Sequence, residues 1–210
     1  MIAIDGPAGA GKGTLAKKLA QELNLAYLDT GLLYRAVGYA LVKDGQSLGD
    51  EAVATQYALC LKSQDLINPD LRSDDVAQAA SKISSYPGVR TALVDFQRAF
   101  ALNPPFPYQG AILDGRDIGT QILPEAPLKF FVDASPEVRA QRRYLELEAR
   151  GDQVTFDQVL KDIQERDTRD QTRTTAPLKP APDAIFLDTS QLTIQQAFER
   201  ALGFVKESLS

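Results

Sequence analysis

The sequence predicts an α/β fold built on a parallel sheet, and three observations lead there. A short apolar run, Ile2-Ala3-Ile4, passes into Gly6-Pro7-Ala8-Gly9-Ala10-Gly11-Lys12-Gly13-Thr14 and then into Leu15, Leu19 and Leu23 at four-residue spacing. That order is a strand, a turn and a helix with one apolar stripe. A second strand, Ala26-Tyr27-Leu28-Asp29, follows so soon that a right-handed crossover must join a parallel pair. Two later apolar runs, Ala111-Ile112-Leu113 and Leu128 to Val132, end in Asp114-Gly115-Arg116-Asp117 and Asp133-Ala134-Ser135-Pro136, at the strand ends where α/β sheets bind ligands.

The glycine-rich stretch organises the rest. Gly6 and Gly11-Lys12 have the G-x-x-x-x-G-K spacing, in which backbone almost free of side chains turns its N–H groups around phosphate oxygens. The helix beginning near Lys12 points its positive end at the same oxygens, and the lysine, expected to be exposed, adds a mobile cation. This suits a triphosphate tail. The general motif places Ser or Thr directly after the lysine as a magnesium ligand, whereas here Gly13 stands there and Thr14 comes one residue later. Direct ligation of magnesium by a hydroxyl at that place is therefore not expected.

After the second strand, Leu33, Val37 and Leu41 continue at helical spacing. Residues 44–87 are polar and broken by Gly45, Gly49, Pro69 and Pro87, with helical patches near Val53 to Leu61 and Val76 to Ile83, so a small helical lobe is expected. A helix from Val89 to Phe100 returns to the core, and Asn103-Pro104-Pro105-Phe106-Pro107 makes a stiff connector. Ser135 before Pro136 is an N-cap signature, opening a helix with Arg139, Arg142 and Arg143. Thr155 to Gln158 is a capping box, and the helix it opens runs to about Gln171. One face of that helix changes from Val159 and Ile163 to Arg166, Asp170 and Arg173, as expected of a helix that packs with its first half and enters a cleft with its second. A strand from Ala184 to Leu187 and a helix from a second capping box, Thr193 to Gln196, complete the chain.

Composition narrows the function. The 210 residues, 44% hydrophobic, suffice for one domain with a sizeable core. With one cysteine and no histidine, an internal disulfide and the usual thiolate or imidazole metal clusters are excluded. A net charge of −5 argues against broad nucleic-acid binding, and any anionic substrate needs cations gathered locally. They are gathered: seven of the thirteen arginines fall between Arg139 and Arg173. Held together without an anion, those cations should repel one another and leave the region mobile. No apolar run nears the ~18 residues that span a bilayer, and nothing at the start reads as a secretion signal.

Asp29-Thr30-Gly31 with Tyr34-Arg35, then Asp114-Gly115-Arg116-Asp117-Ile118-Gly119-Thr120, then Glu165-Arg166-Asp167 with Arg169-Asp170 and Arg173, resemble the bacterial cytidylate kinases, which are nucleoside monophosphate kinases. Val132 to Glu137, Ala176-Pro177-Leu178 and Leu187-Asp188-Thr189 continue the likeness in order, so it covers nearly the whole chain. The resemblance implies a P-loop kinase fold, a three-layer α/β/α arrangement with a five-stranded parallel sheet. Its core would take in about 1–43, 88–138 and 174–210, with a monophosphate-binding lobe at about 44–87 and a lid at about 139–173. The small sheet that the best-known members insert in that lobe is not expected, because Ala58 to Ser73 is too short and too poor in alternation.

The implied activity is ATP-dependent phosphorylation of CMP, and of dCMP, to the diphosphate in pyrimidine nucleotide metabolism, with magnesium as MgATP. Gly6, Pro7, Ala8, Gly9, Ala10, Gly11, Lys12, Gly13 and Thr14 would bind ATP. Thr30, Tyr34 and Arg35 would belong to the acceptor side, with Arg35 and Arg116 on its phosphate and Ser81, Arg90 and Asp117 reading cytosine. Arg166, Asp170 and Arg173 would reach in from the lid, Asp170 toward ribose. Lys12, Arg116, Arg142 and Asp114 would form the catalytic set, and Thr14 and Asp114 would meet the metal through water. A cytoplasmic monomer that touches neither nucleic acid nor membrane is expected. Two readings stay beside this one: a P-loop kinase for another monophosphate or small acceptor, and a nucleotide-binding module without catalysis. A GTP-binding switch lacks its guanine-reading Asn-Lys-x-Asp.

Overall fold

The central strands are apolar on both faces, which places them between two layers of helix. In the computed structural model, which describes residues 1–208, the strands are β1 (Ile2–Asp5), β2 (Ala26–Asp29), β3 (Ala111–Gly115), β4 (Leu128–Asp133) and β5 (Ile185–Asp188). All pairings are parallel, in the order β2-β3-β1-β4-β5. The helices are α1 (Lys12–Glu22), α2 (Gly31–Lys43), α3 (Glu51–Leu59), α4 (Asp74–Ile83), α5 (Pro87–Leu102), α6 (Pro136–Ala149), α7 (Phe156–Thr172) and α8 (Ile194–Ser208). Ile2, Ile4 and Ile112 pack on Leu15 and Leu19 of α1 and Ala201 and Val205 of α8. Between them in the strands, Ala3, Ala111 and Leu113 pack on Ala101 of α5 and on a five-residue π-turn, Ile118–Ile122. The alternation of the pleat thus assigns each side chain to one of two cores.

The remaining helices form two appendages of unlike attachment. Helix α2 runs from the end of β2 into α3, α4 and α5, and Leu33, Val37, Ala54, Ile83 and Leu93 share one core. At Gly38 an added Cβ would come 3.0 Å from that of Ala79, so glycine sets how closely α2 and α4 approach. Residues 60–73 hold two short 3-10 turns, Ser63–Ile67 and Pro69–Arg72. The hairpin of α6 and α7 has its own small core, Ala140, Leu147, Val159 and Ile163. Ser135 caps α6 through the Val138 N–H, and Thr155 with Gln158 forms the capping box of α7.

Helix and strand bounds fall within a few residues of those read from the pattern; the last strand begins at Ile185 and reaches Asp188. The π-turn was outside that reading. Five residues are too few to show a helical period, and Gly119 breaks the apolar run.

Candidate functional site

Strand β1 ends at Asp5, and the chain passes through residues 6–11 into α1 at Lys12. Gly6 has φ +147°, and a Cβ there would lie 1.9 Å from the carbonyl oxygen of Val132, so only glycine lets the loop pass this close to β4. The sequence suggested an exposed lysine. Lys12 is instead 7% exposed, because the loop folds over it and its Nζ donates to the Pro7 carbonyl at 2.7 Å. Burial, then the nearby charges of Arg116 and Arg166, push its ammonium group down from the usual lysine range. Arg142 stands beside the same loop, with one guanidinium nitrogen 3.9 Å from where a Cβ on Gly11 would be. It donates to the hydroxyl of Thr189 at 3.1 Å and to its carbonyl at 2.7 Å.

Across from Lys12, β3 delivers Asp114, which is 5% exposed. Its Oδ2 accepts from the Tyr27 hydroxyl at 3.2 Å, and its carbonyl accepts from the Thr30 hydroxyl at 2.7 Å. An added Cβ on Gly13 would come within 3.3 Å of Asp114 Oδ2, so the residue standing where the general motif has Ser or Thr gives this carboxylate room. Burial and the charge of Asp29 raise the Asp114 carboxyl. Two carboxylates that repel each other beside a phosphate loop fit a hydrated divalent cation. Thr14 is exposed on the first turn of α1. Among the described residues no group of three or more ligating side chains forms, so most of the metal's positions would fall to water and phosphate oxygens.

The opposite wall is made of arginines. Tyr34 and Arg35 come from α2; the Arg90 guanidinium lies 5.7 Å from the centre of the Tyr34 ring, and Arg35 donates to the Leu71 carbonyl at 2.7 Å. Arg90 also donates to the Ser84 carbonyl at 3.0 Å and is paired with Asp117. Arg116 Nε donates to Asp170 Oδ2 at 3.1 Å, with Arg166 Nε 3.9 Å from that oxygen. Burial alone would raise the Asp170 carboxyl, but Arg116, Arg166 and Arg173 hold it below the ordinary carboxylate range. Arg173 donates to the Ser84 hydroxyl at 3.2 Å and to the Ala176 carbonyl at 2.8 Å. Ser81 accepts from Arg169 at 2.9 Å.

Cationic charge exceeds what these carboxylates balance. Burial and then Arg116 push the Arg166 guanidinium down to about 10. Arg166 Nε and one terminal nitrogen of Arg173 are inaccessible and make no hydrogen bond. A buried guanidinium donor without an acceptor is costly, and phosphate oxygens are the acceptors its fork fits. The general repulsion expected across the lid is narrower than the sequence suggested. Arg139 is paired with Asp167, Arg143 with Asp74 and Glu146, and Arg150 with Asp152. The imbalance is concentrated where α7 enters the cleft.

Some residues here had no role assigned from sequence. Arg139, 3% exposed, joins the Ala8 carbonyl of the loop at 3.2 Å to Asp167 of α7 at 2.5 and 3.0 Å. Tyr27 steadies Asp114, and Asp5 bonds the π-turn across the sheet end. Arg169, which donates to Ser81, was quoted in the family-like stretch without a role of its own.

A family model described as "Cytidylate kinase" matches residues 2–207. The cytidylate kinase of Paramagnetospirillum magneticum is 57% identical over 205 residues, covering 98% of this chain and 97% of its own. That of Methylocella silvestris is 52% identical over 208 residues, covering 99% and 94%. Among solved structures, an uncharacterized protein from Eubacterium ventriosum aligns with a TM-score of 0.56 at 16% identity over 98% of this chain and 97% of that one. A sugar kinase from Janibacter sp. gives 0.50 at 16% identity over 98% and 93%. At such identity these two speak for the fold alone.

Proposed function

This chain belongs to the cytidylate kinase family, and from that premise we propose that it transfers the γ-phosphoryl group of ATP to CMP, and to dCMP, giving ADP and the nucleoside diphosphate. The full-length matches to cytidylate kinases favour CMP over another small acceptor. The observation that carries the reading is the convergence of Lys12, Arg116, Arg166 and Arg173 on one cleft, with buried guanidinium donors that lack acceptors.

A phosphate oxygen of CMP attacks the γ-phosphorus in line as the bond to the bridging β–γ oxygen breaks, and ADP leaves with that oxygen. The acceptor is already an anion near pH 7, so no proton has to be removed and a chain without histidine is no obstacle. The loop from Gly6 to Thr14 holds the donor phosphates, and Lys12 and Arg142 offset charge on the migrating group. Arg35 and Arg116 grip the CMP phosphate beside Thr30 and Tyr34. Ser81, Arg90 and Asp117 read cytosine, whose amino group donates to a carboxylate. Asp170 meets ribose hydroxyls between Arg166 and Arg173. Asp114 and Thr14 would hold magnesium through its water, and the ion when bound supplies positive charge to the phosphates.

Residues 44–87 act as the acceptor lobe and 139–173 as the lid. Among the described residues no helix is long and apolar enough to cross a membrane. A cytoplasmic monomer, binding neither nucleic acid nor membrane, belongs to the same proposal. Steady-state phosphorylation of CMP, dCMP, UMP, AMP and shikimate with ATP and magnesium tests it. The highest kcat/KM should fall to CMP or dCMP; turnover of another acceptor in their place would contradict the reading.

A further inference from the structure

The π-turn starting at Ile118 is preceded by Asp117, and an aspartate in that place ordinarily accepts from the first free N–H groups of the turn. Asp117 makes no such bond. One of its oxygens is taken by Arg90, and the other lies 4.0 Å from Arg173. The free N–H groups are met by a residue 113 positions away in the chain: Asp5 Oδ1 accepts from Ile118 N at 2.7 Å and Asp5 Oδ2 from Gly119 N at 2.7 Å. Asp5 is 3% exposed and immediately precedes Gly6 of the phosphate loop. Gly119 leaves it room, since a Cβ there would come 3.4 Å from Asp5 Oδ2 and 3.1 Å from the Lys129 stem.

We infer that Asp5 is a positioning residue for acceptor selection: by capping the π-turn from another strand, it frees the Asp117 carboxylate to face Arg90, Arg173 and the cytosine amino group. The inference rests on the reading of Asp117 given above. Without Asp5, two buried donors left unpaired at the positive end of the turn would draw the Asp117 carboxylate back onto its own backbone, away from the base.

The environment of Asp5 adds a second handle. Burial raises its carboxyl to about 6 against the two N–H bonds, with Asp117 raising it further and Lys12 lowering it. Lys129, whose stem lies along Gly119, has its ammonium on Asp183. Below that pH one Asp5 oxygen carries a proton and no longer accepts.

The test is kcat/KM for CMP and for UMP, with the KM of ATP, in the wild type, Asp5→Asn and Asp117→Ala. Asp5→Asn turns one acceptor into a donor facing an N–H, and should lower the CMP-to-UMP ratio at least tenfold through the KM of CMP, with the KM of ATP within twofold. Equal losses on both acceptors with a raised ATP KM would make Asp5 a prop of the phosphate loop and overturn the inference. If Asp117→Ala lowers the ratio and Asp5→Asn does not, the inference fails while the reading of Asp117 stands. If Asp117→Ala leaves the ratio unchanged, that reading fails and takes the inference with it. Should Asp5→Asn not fold, the wild-type ratio is followed from pH 8 to 5.5. The acceptor phosphates titrate alike and divide out, so the ratio should fall toward pH 5.5, and a flat ratio would overturn the inference.

Discussion

Under the proposed function, the donor side of the cleft is nine consecutive residues, all but Pro7 with a main-chain N–H and one of them a lysine, whereas the acceptor side would draw its arginines from α2, α5, the turn after β3 and the end of α7. The donor wall is shaped by what is missing: Gly6 passes against the Val132 carbonyl because it has no side chain. The acceptor wall is shaped by counter-charges. Asp117 and Asp170 hold Arg90 and Arg116 in place, and Arg166 and Arg173 keep donors unsatisfied. A wall made of backbone binds phosphate whatever carries it, while a wall made of side chains can discriminate. If this contrast is right, damage to the two walls should separate kinetically.

The largest effect should come from the donor side. Lys12→Ala removes the one cation of the loop, and the loss of such a charge at a transferring group amounts to about 10²- to 10³-fold in kcat. Single-turnover rates with saturating nucleotides measure it, and wild-type rates would remove the loop lysine from the account. Next, Arg35→Ala and Arg116→Ala each delete charged hydrogen bonds that contribute about 1.5 to 3 kcal/mol, so the KM of CMP should rise roughly ten- to a hundredfold. The KM of ATP should change far less; the reverse pattern would exchange the two walls. A smaller effect is expected from Tyr27→Phe, which takes one hydroxyl from Asp114 and leaves the ring in place. The loss of one such hydrogen bond is worth about 1 kcal/mol, so the magnesium dependence of kcat should shift by only a few-fold, with the KM of CMP unchanged.

The same contrast explains what could be read in advance. The loop, the strands and the capping boxes are local patterns, and their places were legible from spacing alone. Residues such as Arg116, Asp170 and Arg173 were nameable through family likeness, yet their pairing depends on how α7 crosses the sheet end, which no local window contains. Lys12 was misread as exposed because its neighbours in sequence are small, while the atoms that bury it include the carbonyl of Pro7 folded back over it. Asp5 carried no reading from sequence, standing between the apolar run Ile2 to Ile4 and Gly6. Its bonds to Ile118 and Gly119 exist only once β1 and β3 lie side by side. Arg139 likewise reads as surface charge until α6 and α7 close into a hairpin around it.

The most direct test of the two-wall account is amide hydrogen exchange with each nucleotide added alone, because it reports each wall without requiring turnover. CMP alone should slow exchange in residues 116–122 and in the second half of α7 while leaving residues 6–14 unchanged, and ATP alone should give the opposite pattern. Protection of the phosphate loop by CMP equal to that by ATP, or no change in α7 with CMP, would contradict it.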